Sequence, residues 1–197
     1  MAEPSILPTF VVLGGPNGAG KSTAAAILLP AEMTFVNADE VAKGLPDYPS
    51  HAADLEASRL VLEQMDELEA DRADFAVETT LAGRSLAARA ARLRAVGYRF
   101  RLIFPTIPED DLSVSRVAFR VANGGHHIPE NTIRRRFVAG PRNFFRLYKP
   151  VADKWEVYET SKIGRPILIA EGTIDGGPSI LEPASWDDFR SRGDDNG

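Results

Sequence analysis

At 197 residues, 44% of them hydrophobic, the chain can bury one core of ordinary size and reads as a single domain over residues 1–197. Its lack of cysteine excludes disulfides, a thiolate zinc site and a cysteine nucleophile. A net charge of −5, no leader pattern at Met1-Ala2-Glu3-Pro4 and no run of about eighteen apolar residues together predict a cytoplasmic protein with no membrane partner and no general affinity for nucleic acid.

Residues 8–14 form a continuous apolar run, as the central strands of parallel sheets do. The next stretch, Gly14-Gly15-Pro16-Asn17-Gly18-Ala19-Gly20-Lys21-Ser22-Thr23, satisfies G-x-x-x-x-G-K-[ST] from Gly15 to Ser22. A helix over residues 21–29, stopped by Pro30, completes the strand, loop and helix that this pattern requires. Glycines at 15, 18 and 20 let backbone N–H groups converge on a pyrophosphate at a helix N-terminus. Lys21 is placed to reach the outer phosphates, and the Ser22 hydroxyl to ligate Mg²⁺. Gly15, Pro16, Asn17, Gly18, Ala19, Gly20, Lys21, Ser22 and Thr23 are therefore expected to hold ATP or GTP with Mg²⁺.

A second apolar run, Met33 to Val36, ends in Asn37-Ala38-Asp39-Glu40, which puts Asp39 just past the C-terminal end of a strand, the edge where open α/β sheets bind ligands. Residues 44–49 are a loop by their Gly and Pro content. From 51 to 70 the spacing of Ala57, Val61, Met65 and Leu68 predicts an ordinary packing helix. A strand over 74–77 delivers Glu78-Thr79-Thr80 to the same edge. A helix over 85–95 and a strand over 98–104, closed by Pro105, follow. Strand and helix have by then alternated four times, which implies a parallel sheet with helices on both faces and right-handed crossovers.

The next helix starts at Pro108-Glu109-Asp110-Asp111 and ends near Gly124-Gly125. Its Arg116 and Arg120, four apart, share one face. Pro129-Glu130 opens a further helix with Arg134, Arg135 and Arg136; at about 100° per residue, no more than two of these face one ligand. Gly140-Pro141 is expected to kink or break it. Short strands at 155–158 and 166–170, a helix over 186–190 and a polar tail, Ser191 to Gly197, finish the chain. Residues 112–150 hold eight Arg or Lys and one acid, a local +7 on an otherwise acidic body, and read as a basic helical lid or substrate segment.

Phosphoryl transfer requires positioning, charge neutralisation and a group that takes the acceptor's proton. Asp39 is the candidate base and can also touch the metal; as an alternative it caps the next helix. Glu78 suits the acceptor or the magnesium shell, or else a structural pair with Arg84. Thr79 and Thr80 add hydroxyls. Arg116, Arg120 and one of Arg134 to Arg136 are candidates to stabilise the transferring phosphoryl group, although any one of them can equally be a solvated side chain. His126 and His127 lack further metal ligands and suit loop shaping or substrate contact.

In order, the phosphate loop, Asn37-Ala38-Asp39-Glu40, Glu78-Thr79-Thr80-Leu81, Gly97-Tyr98, Arg116-Val117 with Arg120-Val121, Gly124-Gly125-His126, Ile128-Pro129-Glu130 and Arg135-Arg136 resemble the short Gram-negative branch of the zeta toxin family, from about residue 9 to 157. The resemblance implies a three-layer P-loop kinase fold with a mostly parallel central sheet. It further implies ATP-dependent phosphorylation of the 3′-hydroxyl of UDP-N-acetylglucosamine, and a separate antitoxin that blocks the nucleotide site. Carried over, Lys21 and Ser22 match the phosphate and metal positions and Asp39 the proposed base. Glu78 and Thr80 match the acceptor site, with Thr79, Arg84, His126 and Arg134 beside them. Arg120 and Arg135 are the best candidates for catalytic arginines, with Arg116 on the nucleotide. Where relatives tend to carry Asp-Asn-Ser, this chain has Glu159-Thr160-Ser161. Two other readings remain open: a housekeeping kinase for another nucleoside or sugar metabolite, and a non-catalytic ATP-binding module.

Overall fold

The computed structural model describes residues 7–162 and 165–194; Met1–Pro4 and the end of the expected polar tail lie outside the described residues. The described elements are β1 (Thr9–Gly14), α1 (Lys21–Leu28), β2 (Thr34–Val36), α2 (Ala38–Lys43), α3 (His51–Ala70), β3 (Phe75–Thr79), α4 (Ser85–Ala95) and β4 (Arg99–Thr106). They continue with α5 (Asp110–Ala122), α6 (Glu130–Asn143), β5 (Lys154–Glu159), β6 (Ile167–Thr173), β7 (Ser179–Ile180) and α7 (Pro183–Asp194). The sheet has the order β2-β3-β1-β4-β5-β6-β7, parallel from β2 to β5 and antiparallel beyond. The reversal follows from chain length. A parallel neighbour needs a crossover of about a dozen residues or more, and residues 160–166 are too few.

Alternation along β1 builds a core on each face of the sheet. Phe10 and Val12 point to a cluster with Phe75, Phe100 and Phe104, which Phe144, Trp155, Trp186 and Phe189 extend under α6 and α7. Val11 and Leu13 point the other way, against Ala25 of α1, Ile103 and Tyr158. Helices on both sides of a buried parallel sheet make a three-layer α/β architecture.

Helix α7 runs from Pro183 to Asp194, through the first residues of the expected polar tail, and two proline signals are overruled. Strand β4 runs through Pro105 to Thr106. β1 leaves the ladder after Leu13 pairs with Ile103, and the Pro105 carbonyl faces Gly15, so the missing N–H lies on a side that no longer needs a ladder bond. Nor does Gly140-Pro141 break α6. Burial of Ile133, Phe137, Phe144 and Tyr148 keeps the segment helical, and it widens into a π-helical turn, Phe144–Tyr148, rather than stopping. Gly140 is there for packing: a Cβ would stand 3.2 Å from the Thr80 carbonyl oxygen.

Candidate active site

The loop between β1 and α1 is braced from below. Gly15 N–H donates to the Thr79 carbonyl (3.1 Å), and an added Cβ at Gly15 would lie 2.4 Å from the Pro105 carbonyl oxygen. Gly18 and Gly20 take φ of +76° and +66°, a left-handed conformation that other residues enter at a cost. The first bond of α1 runs from Ala24 N–H to the Gly20 carbonyl (2.9 Å), so the N–H groups of Lys21, Ser22 and Thr23 have no acceptor within the helix. They and the positive end of α1 form an anion cradle. Pro16 and Ala19 lie underneath: the Pro16 carbonyl accepts from Lys21 Nζ (3.1 Å) and Ala19 N–H (3.2 Å).

The cradle opens into a cleft of about 550 Å³, walled by the loop, Asp39, Glu78 to Thr80, Asp54 and Ser58 of α3, and Arg116, Arg120, His126 and Arg136. Ser22 Oγ–H donates to Glu78 Oε2 (3.0 Å), Asn37 Nδ2 donates to the same oxygen (3.0 Å), and Lys21 Nζ stands 3.5 Å from Glu78 Oε1. Glu78 is thus held by these three groups and not by Arg84, which is exposed at the start of α4. Asp39 does not cap α2. Asn37 does, its Oδ1 accepting from Asp39 N–H (2.8 Å), which leaves the Asp39 carboxylate free to meet Arg120 (3.2 Å). Thr79 and Thr80 line the cleft; Thr79 Oγ1 also accepts from Leu81 N–H (3.2 Å).

The arginines of α5 and α6 divide by direction. Arg116 donates to the carbonyls of Gly18 (3.1 Å), Thr160 (3.0 Å) and Ser161 (2.6 Å), tying the phosphate loop to the end of β5. Thr160 Oγ1 adds contacts to the Ala19 (2.8 Å) and Thr106 (3.0 Å) carbonyls, so the departing Glu159-Thr160-Ser161 segment buttresses the loop. Arg120 reaches Asp39 and, at 3.5 Å, the His126 carbonyl; His126 Nε2 lies 3.3 Å from Asp54 Oδ2 across the cleft. Arg136, not Arg135, faces the loop, donating to Asn17 Oδ1 (3.3 Å). The α6 register turns Arg135 to solvent and commits Arg134 to Asp110, Asp111 and Glu130 (2.7 Å each), outside the cleft.

Burial dominates the electrostatics of Lys21, which is 7% exposed: desolvation holds its ammonium below the ordinary lysine range, against the opposing pull of Glu78 and Asp39. Burial likewise lowers Arg136, helped by the neighbouring Arg135 charge. With Arg116 bonded to carbonyls and Arg136 to an amide oxygen, the cleft holds cations that no carboxylate neutralises, which favours an anionic ligand.

The zeta toxin family model matches residues 2–163, most of the chain and all of this site. The chain belongs to the zeta toxin family. It is 27% identical over 123 residues to an uncharacterised protein of Haemophilus influenzae, covering 62% of this chain and 88% of that protein. Among solved structures it resembles AvrRxo1-ORF1:-ORF2 with ATP (TM-score 0.76, 18% identity, 98% of this chain). It also resembles the PezAT chromosomal toxin-antitoxin system of Streptococcus pneumoniae (TM-score 0.62, 18% identity, 96% of this chain and 87% of that one). This zeta toxin chain spans 66% of the AvrRxo1 chain.

Several cleft residues of this family member carry no signal in one dimension. Asp54 and Ser58 sit on a helix whose period announces only packing. Asn37 is visible only as a neighbour of Asp39. Among three successive arginines, nothing short of the packing of α6 selects Arg136.

Proposed function

We propose that this zeta toxin domain is an ATP- and Mg²⁺-dependent phosphotransferase whose acceptor is a hydroxyl of a small molecule, the 3′-hydroxyl of UDP-N-acetylglucosamine. The observation that carries the reading is the convergence of Lys21, Ser22, Glu78 and Asp39 on one rim of one cleft, with Arg120 and Arg136 facing it. Family membership supports the acceptor.

The oxygen donors present fit a magnesium ion. A carboxylate only accepts, so the Ser22 hydrogen points to Glu78 and the hydroxyl lone pairs are left for a cation; Asp39 and Glu78 supply further hard oxygens nearby. Held by Ser22 with Asp39 and Glu78 nearby, Mg²⁺ would supply charge neutralisation for the phosphates. The N–H groups of Lys21 to Thr23 and the Lys21 ammonium grip those phosphates. Asp39 takes the proton of the acceptor hydroxyl as its oxygen bonds to the γ-phosphorus. The bond from that phosphorus to the bridging oxygen breaks, and its electron pair leaves with ADP. Arg120 and Arg136 offset the charge spread over the transferring group. Glu78, Thr79 and Thr80 orient the acceptor.

The proposed partner is a separate antitoxin that covers this cleft, by analogy with the toxin-antitoxin system to which PezAT belongs. The test is to incubate purified protein with Mg²⁺, ATP and UDP-N-acetylglucosamine and to follow both nucleotides by mass spectrometry, with Asp39→Asn as control. One added phosphate on the sugar nucleotide, lost in Asp39→Asn, is the expected result. Transfer to another metabolite with UDP-N-acetylglucosamine untouched refutes the acceptor, and no ATP consumption with any acceptor refutes the phosphotransferase.

A further inference from the structure

Asn37 is buried and has no charge to contribute, yet its side chain links the Glu78 carboxylate to the backbone that carries Asp39. Its Nδ2 donates to Glu78 Oε2 at 3.0 Å, and its Oδ1 accepts from Asp39 N–H at 2.8 Å. The amide cannot be turned over. A flip would set oxygen against the Glu78 carboxylate and NH₂ against the Asp39 N–H, replacing two bonds by two repulsions. Its backbone is equally fixed, as the extended residue that starts α2 (φ −137°, ψ 116°).

The consequence is geometric. Glu78 ends a central strand, and Asp39 sits in the first turn of a six-residue helix that carries few bonds of its own. Among the described residues, the hydrogen-bond partner of the Asp39 carboxylate is Arg120, on α5. Arg120 stands on α5, outside the sheet, whereas Asn37 directly follows β2. Ser22, which also donates to Glu78, is the candidate metal ligand.

We infer that Asn37 is a positioning residue that fixes the separation and orientation of Asp39 relative to Glu78, so that one polar side chain sets the register between base and acceptor site. This rests on the proposed phosphotransferase reading, in which both acids serve the acceptor. Asparagine meets the requirement because it offers a donor and an acceptor on one rigid plane; serine and aspartate can cap the helix but present no N–H to Glu78.

The test separates capping from positioning. Asn37→Ser and Asn37→Asp keep a helix cap, while Asn37→Ala loses both bonds. Asn37→Ser is expected to melt within a few degrees of wild type and to bind ATP within about threefold, whereas Asn37→Asp, which sets a second carboxylate against Glu78, should melt lower. The kcat of both should fall on the order of 10- to 100-fold, the scale of a misplacement of about 1 Å in a reacting constellation. Should kcat instead follow melting temperature, with Asn37→Ser unimpaired, Asn37 is merely a cap and the inference is overturned.

A second readout needs no turnover. In ¹⁵N-labelled protein the Asn37 side-chain amide signals, assigned by their loss in Asn37→Ser, should shift in Glu78→Ala. Unmoved signals overturn the contact on which everything here depends. If the wild type transfers no phosphate to any acceptor, the proposed function falls while this spectrum still decides whether Asn37 holds Glu78.

Discussion

Gly15→Ala tests how rigidly the phosphate loop is seated, because it adds one methyl group where backbone stands in the way. The new Cβ would lie 2.4 Å from the Pro105 carbonyl oxygen, and contacts under 3.0 Å do not persist, so loop and β4 must part by at least about 0.6 Å. The obstacle is strand backbone rather than a swinging side chain. Opening the gap also strains the bond from Gly15 N–H to the Thr79 carbonyl (3.1 Å), which anchors the loop to the strand bearing Glu78. Overpacking of this kind costs roughly 1–3 kcal/mol. For a chain of this size that is a drop in Tm of about 2–12 °C. ATP affinity, read by titration calorimetry, should fall at least about tenfold as the N–H groups lose convergence. Two controls separate sterics from backbone conformation. Gly20→Ala has open space but φ of +66°, and should lose roughly 1–2 kcal/mol through conformation alone. Gly83→Ala has open space and no positive φ, and should change neither quantity. If Gly15→Ala melts and binds ATP as the wild type does, the bracing of the loop by β3 and β4 is not real.

Lys21→Met removes the ammonium that faces Glu78 and Asp39, so ATP binding, read by titration calorimetry, should weaken roughly 10- to 100-fold, the loss of one charged hydrogen bond. Arg136→Ala and Arg120→Ala should each lower kcat at least about 100-fold. Arg135→Ala should leave it within about threefold; the reverse order in steady-state kinetics would mean that the lid turns through a different face on closing. Away from the cleft, burial raises the proton affinity of Glu156, but the hydrogen bonds and charge of Arg101, with Lys154, outweigh it and hold the carboxyl below the usual range. A depressed acid stabilises the fold above its unfolded value, near pH 4.3, and that contribution disappears as pH falls through the folded value. Glu156→Gln should therefore lower Tm at pH 7, by roughly 6–12 °C for about 3 kcal/mol. The gap to wild type in thermal melts should close below about pH 4; a constant gap across pH would refute the charge account.

Much of the fold was legible in one dimension because its signals are local. The phosphate loop announces itself by glycines that free the backbone and by the lysine and serine that follow, all within ten residues. Alternating apolar runs and amphipathic helices gave the parallel sheet, and helix α4 appears over the predicted residues 85–95. Local signals failed where burial overruled them. Pro105 reads as a strand end and Pro141 as a helix break, yet one lies where the ladder has already ended and the other within a helix held by four buried side chains.

What the sequence by itself determined is the inventory: a phosphate cradle, acids placed just beyond two strands, and a cationic segment long enough to arch over them. Tertiary structure alone decided which members of that inventory meet. Ser22 finds Glu78 across 56 residues, Asn37 finds it across 41, and Arg120 finds Asp39 across 81. The packing of α6, not the triplet of arginines, turned Arg136 inward and left Arg135 in solvent. The reason is that residue type and spacing fix what a side chain can bond to, whereas the direction in which it points is set by buried surfaces on distant segments.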